Sequence, residues 1–353
     1  MAYTAIDDPS AHFQADTYTG GQTITFDGNS DLQPDWIWIK ARTTAENWRA
    51  FDTSRGVGNG TDETKGLVIS QAGTEESYSI VTSMDSDGVT LNTGDAYLNS
   101  GSHTYLLSAW KANGGSTTTN DASATGVGNL DSVYQANTTA GFSIVTFDLT
   151  GDSGDKTIAH GLGQAPDVII FKNRDDARNW AIHHHTQTPP EYMVFDTDAV
   201  ASSDNFNNST DPTSTVFSLE TAWHGAHKHV AYCFAEIQGY SKFGSYTGNG
   251  NADGTFVYTG FKPAWLLLKQ SSSSGEHWRL LDSARSTYNI VNKHLAPSIA
   301  GTESAETGCD FLSNGFKLRD GDTHQNADDE TYIYMAFAEQ PFVTSGGVPC
   351  TAR

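Results

Sequence analysis

The side chains best suited to chemistry gather in the middle of the chain. His183, His184 and His185 stand in a row, and His224, His227 and His229 follow closely on Trp223. In extended segments alternate residues share a face, so His183 pairs with His185 and His227 with His229. Two such pairs on neighbouring strands would offer a transition metal four imidazoles. Solvated loop histidines are the plainer reading, and metal is not favoured. Trp223 has no counterpart elsewhere in the chain and lies in a polar stretch. It is a candidate surface contact, so Trp223, His224 and His227 are taken as ligand-binding candidates.

The remaining reactive groups show no catalytic arrangement. No Glu is followed two residues later by Asp, so paired carboxylates of the Glu-x-Asp-x-x-Glu kind on one strand are absent. No G-x-S-x-G, H-E-x-x-H, P-loop or dinucleotide fingerprint occurs. The acidic turns Asp85-Ser-Asp87 and Asp328-Asp-Glu330 suit calcium by ligand type, but neither fits a calcium-loop pattern. Cys233, Cys309 and Cys350 are odd in number and lack CxxC spacing, which argues against a disulfide framework or zinc site. No enzyme activity and no cofactor are expected.

Composition narrows the partners. Against 42 Asp+Glu stand 20 Lys+Arg, a net charge of −22 with His neutral. Such a chain repels phosphate backbones and anionic lipid, so nucleic acid and membrane surfaces are poor partners. No apolar run approaches a spanning length, and the first ten residues show no secretory signal, so membrane insertion is not expected. Hydrophobic residues at 37% and aromatics at 11% suffice for real cores.

The elements that must position these residues recur along the chain. Gly88-Val-Thr-Leu-Asn-Thr-Gly-Asp95 matches Gly315-Phe-Lys-Leu-Arg-Asp-Gly-Asp322. Without a gap the match continues to Asn99, Thr104, Tyr105 and Ala109 against Asn326, Thr331, Tyr332 and Ala336. Upstream, Trp48-Arg-Ala-Phe-Asp-Thr-Ser-Arg55 matches Trp278-Arg-Leu-Leu-Asp-Ser-Ala-Arg285. A weaker third copy shares the runs opened by Pro34, Pro166 and Pro263, each closing on Lys and followed by Trp48, Trp180 or Trp278. It departs at His183-His-His185, where the outer copies carry Asp and Arg.

These runs are rich in β-branched and aromatic residues, and Asp87-Gly88 and Asn314-Gly315 read as hairpin turns. Pro at a strand head forfeits no ladder hydrogen bond. The fold expected is all-β: tandem antiparallel β-sandwich modules of jelly-roll or lectin-like type, three related units. Unit one spans residues 1–113 with an N-terminal docking segment, unit two 139–240, and unit three 241–353 with a C-terminal tail. Residues 114–138 read as a Gly/Ser/Thr-rich linker or long loop, leaving unit one freer than the other two. Trp48, Trp180, Trp278, Pro34, Pro166, Pro263, Tyr105 and Tyr332 are read as structural core.

Pro34-Asp-Trp-Ile-Trp-Ile-Lys40, Asn47-Trp48, Tyr105-Leu-Leu-Ser-Ala-Trp-Lys111 and the stretch from Phe234 to Gly250 resemble modules of tailed-bacteriophage virion proteins, especially of marine phages. Those modules are similar to concanavalin-type lectin sandwiches. The resemblance implies a virion structural protein, a tail fibre or tail-tip component made in the host cytoplasm. It further implies contact with other virion proteins and host cell-surface polysaccharide, and a homo-oligomer, a trimer by analogy with fibres. A head-surface decoration or connector is the alternative, and a carbohydrate-binding protein or glycan depolymerase outside the virion a second.

Overall fold

A computed structural model describes residues 3–21, 23–57, 64–93, 95 and 97–351. It is almost entirely β, with antiparallel pairing throughout the named strands and two four-residue helical turns, Ala122–Thr125 and Thr221–His224. Three large sheets of six, seven and eight strands follow one another along the chain. In each, the closing strand lies between an earlier strand and the strand begun near the repeated Pro, and then comes the strand after the repeated Trp. The first sheet runs Phe13–Thr19, Thr104–Trp110, Trp36–Ala41, Arg49–Asp52 and outward. The same order is Phe142–Asp148, Lys228–Phe234, Val168–Asn173, Ala181–His184 in the second, and Ser241–Thr247, Thr331–Pro341, Phe261–Gln270, Arg279–Asp282 in the third.

Both faces of the central strands are apolar, hence the unbroken runs such as Trp-Ile-Trp-Ile, and every residue of Trp36–Ala41 is buried. One face of each sheet covers its own outer core. The other faces meet in one shared core that holds Trp36, Trp38 and Trp110 of the first sheet with Tyr232 and Phe234 of the second and Trp265 and Phe337 of the third. Trp36 stacks on Tyr232 at 4.1 Å, and Phe234 meets Phe337 at 5.8 Å.

The repeated tryptophans close a ring. Trp48 Nε1 donates to Ala296 O at 3.0 Å, Trp180 Nε1 to Val68 O at 2.7 Å, and Trp278 Nε1 to Val194 O at 3.0 Å. First sheet grips third, second grips first, and third grips second. The Asp/Arg pair of the outer copies serves two of these junctions. Arg55 Nε binds buried Asp52, and its Nη1 reaches Glu75, which also holds Arg174 of the second sheet. Arg285 binds Asp282 in the same way, and Glu303 beyond it holds Arg42 of the first sheet.

Four expectations need correction. Residues 114–138 are no free linker: Thr118–Asn120 and Ser132–Asn137 are strands of the second sheet, and Gly114 N and Gly115 N both donate to buried Asp35. Unit one is not freer than the others, because the ring of indole bonds has no loose end. Pro34 and Pro166 precede their strands, but Pro263 lies inside Phe261–Gln270 at a register shift, where its missing N–H is accommodated. The N-terminal segment docks within its own chain: Tyr3 donates to Gly260 O at 2.8 Å and Thr4 to Gln238 O at 2.9 Å. Tyr105 and Tyr332 are fully buried, and each hydroxyl accepts a loop N–H, from Ser100 and Ala327.

Candidate functional site

The helical turn Thr221–His224 ends at Gly225, whose φ of 80° suits glycine. A Cβ there would press on His227 and Arg178, at 3.1 and 3.4 Å. This turn lifts Trp223 to the surface, half-buried, with its ring edge-on to Tyr192 at 5.1 Å and to Phe206 at 5.6 Å. Arg178 Nη1 donates to Trp223 O at 2.8 Å and Nε to Asp176 at 3.2 Å, which fixes the guanidinium at the rim. Arg178, Asn179, Trp180, Tyr192, Val194 and Trp223 line a recess of about 480 Å³. An indole, a phenol ring, an amide and a guanidinium around one open recess suit a ligand with apolar faces and hydroxyl edges. Arg178, Asn179 and Tyr192 were not singled out by sequence reasoning. They sit far from Trp223 along the chain and carry no motif.

The other candidates divide. His224 points inward and is 2% exposed, with Nε2 at 2.9 Å from Phe206 O and its ring against Phe171. Burial pushes its pKa down to about 3, so it is a neutral core residue that cannot touch a ligand. His227 is part-exposed, 4.0 Å from Asp176, and stands outside the recess.

The four histidines weighed for metal do not converge. His183 and His229 are in register with Ile169 and Asn173 respectively, four residues apart on one strand. His185 Nε2 lies 3.1 Å from Phe243 O of the third sheet, and both ring nitrogens of His229 lie against backbone carbonyls. Among the described residues no group of three or more His, Cys, Asp or Glu is placed to hold a metal ion.

A second recess, of about 550 Å³, runs between the first and third sheets past Gln14, Asp16, Asp27, Ser283 and Glu339. It has no indole, and Asp16 is raised by burial with Asp27 nearby.

A family model described as a domain of unknown function (DUF7483) matches residues 8–341. The chain belongs to that family. The DUF7483 match takes in all three sheets and the Trp223 recess. No curated protein matches the chain. Among solved structures it is similar to a chain from "The Triple Jelly Roll Fold and Turret Assembly in an Archaeal Virus", 11% identical over 92% of this chain and 87% of that chain, with a TM-score of 0.11. At that score nothing is carried over from the archaeal virus to this DUF7483 chain.

Proposed function

We propose that this chain is a structural protein of a tailed-bacteriophage virion, at the tail fibre or tail tip, and that it contacts host surface glycans through the Trp223 recess. It acts by binding, without catalysis or cofactor, and as a homotrimer on the particle. The observation that carries the binding role is the part-exposed indole of Trp223 over Tyr192, beside Arg178 and Asn179, on a frame locked by three cross-sheet indole bonds. A rigid frame lowers the ordering cost of a shallow site, and several copies on one particle multiply its strength. The virion role is supported by the resemblance of the Pro-headed modules and by a net charge of −22, which turns nucleic acid away.

Imaging of the particle locates the protein, and binding of purified chain to host envelope polysaccharide tests recognition. Density at the tail tip, with polysaccharide binding lost in Trp223→Ala, is the expected result. Density on the head surface, or binding indifferent to Trp223, refutes the proposal.

A further inference from the structure

Arg49 and Arg279 follow the matching tryptophans Trp48 and Trp278 and occupy the same place in the first and third sheets. Their surroundings differ in charge. Arg279 Nη2 binds Glu306 Oε2 at 2.8 Å, with Asp322 at 3.8 Å. Glu306 stands three residues after Glu303, which takes the cross-sheet Arg42; Tyr78 stands three after Glu75, which takes Arg174. The position of the carboxylate that neutralises Arg279 is therefore held by Tyr78 beside Arg49. His324, two residues after Asp322, likewise corresponds to Tyr97, two after Asp95.

Arg49 is 8% exposed, and among the described residues it has no carboxylate within ion-pair distance. Its Nη1 makes one long donation, to Trp48 O at 3.4 Å, its side chain also hydrogen-bonds Tyr78, whose hydroxyl donates to Glu76 Oε2 at 2.6 Å, and its buried Nε has no hydrogen-bond partner among the described residues. The guanidinium lies 5.5 Å from the Tyr78 ring centre and 5.9 Å from that of Tyr97. Tyr97 is 49% exposed, so the site opens to solvent on that side. Asp95 is committed to its own loop, accepting from Tyr97 N and Leu98 N at 2.8 Å each. Among the described residues, this nearly buried guanidinium between two rings lacks the direct carboxylate partner that its twin possesses.

We propose that Arg49, Tyr78 and Tyr97 bind the carboxylate of an acidic sugar, with the tyrosine rings packing on the sugar faces. This rests on the glycan reading above and adds a second, charged-sugar site on another sheet. The favoured ligand is a uronate-type saccharide rather than an acidic peptide, because the half-exposed Tyr97 ring beside the cation suits the C–H face of a pyranose.

Titration calorimetry with trigalacturonate, and with its carboxyl-reduced counterpart, tests the idea on the whole chain. Trigalacturonate is expected to bind about ten- to hundredfold more tightly than the reduced sugar. Arg49→Met and Tyr97→Ala should remove that preference. Tyr78→Glu, which installs the internal carboxylate of the third sheet, should abolish trigalacturonate binding while the chain stays folded. Trp223→Ala should leave it intact, which separates this site from the other. Equal affinity for the two sugars overturns the proposal, as does full affinity in folded Arg49→Met or Tyr78→Glu. Binding of a glutamate-rich peptide at Arg49 without trigalacturonate binding overturns the sugar class. If Arg49→Met does not fold, Tyr97→Ala and Tyr78→Glu decide.

Discussion

Lowering the pH from 7 to 5 should destabilise this fold by about 8 kcal/mol, mainly through five histidines of the second unit. His160, His183, His184, His224 and His229 are each at most 2% exposed. Burial pushes their pKa values down to about 4, 4, 3, 3 and 4. An unfolded histidine takes its proton near pH 6.5, so below that the unfolded chain binds more protons than the native one. Stability is then fully present above about pH 6.5 and falls as acid is added. At pH 5 each such group costs about 2 kcal/mol, and five cost about 10. Asp196, raised to about 6 mainly by burial, works in the other direction. It is protonated in the folded state within this window and returns about 1 kcal/mol. Smaller returns come from Asp16, Asp35 and Asp320, which burial also raises. Since domains hold about 5–15 kcal/mol in all, acid unfolding should set in near pH 5. Urea denaturation at pH 7, 6 and 5 measures the slope. His184→Gln keeps a donor for Tyr334 O, 3.2 Å from His184 Nε2 in the native chain, and should remove about one fifth of the histidine share. Equal urea midpoints at pH 7 and 5, or imidazoles titrating near their ordinary value by NMR, would refute the reasoning.

Trp180→Phe removes the donor to Val68 O, 2.7 Å away and buried, and should cost about 1–3 kcal/mol by thermal or urea melting. Gly66→Ala places a Cβ 2.6 Å from the Phe51 ring and 2.7 Å from Tyr78, so a loss of about 1–3 kcal/mol is expected in the same assay. Glu75→Gln leaves fully buried Arg55 with Asp52 alone and unlinks Arg174; a loss of about 2–4 kcal/mol should follow, and a wild-type melting point would count against the junction. Light scattering at low and moderate salt should give the mass of three chains, with salt favouring assembly of so acidic a subunit; one chain's mass at both would exclude the trimer.

The strands were legible because both local signals agreed: β-branched and aromatic runs, punctuated by Asp-Gly and Asn-Gly. Legibility failed at Gly114–Gly126, where composition suggested a loose tether. Two of its amides are consumed by one buried carboxylate, Asp35, and its partner strand Ser132–Asn137 is half polar. Burial by a neighbour, rather than intrinsic propensity, orders such a segment. The shared core was invisible for a related reason. Apolar runs show that both faces of a strand are covered, but they do not say by what. Nothing in Trp36-Ile-Trp-Ile39 reveals that the tryptophans face Tyr232 and Trp265 while the isoleucines face the unit's own hairpin.

At the site, residue type was readable but orientation was not. Trp223 and His224 are adjacent, yet the turn sends one ring out and the other into the core, and only the turn's geometry decides which. The second sheet's departure from the Asp and Arg of the other two has a physical reason that sequence comparison alone left open. His184 stands four residues after Trp180, as Asp52 does after Trp48 and Asp282 after Trp278. Asp52 accepts from the Tyr232 hydroxyl at 2.6 Å and from Arg55, so a carboxylate fits there. His184 instead faces a backbone carbonyl, Tyr334 O, and takes Thr186 at its other nitrogen at 2.8 Å. A carboxylate cannot donate to a carbonyl, whereas a neutral imidazole donates through one nitrogen and accepts through the other. The substitution that looked like decay of a repeat is the one that satisfies the second-to-third junction. That same substitution ties this junction to an imidazole that must stay neutral to accept from Thr186.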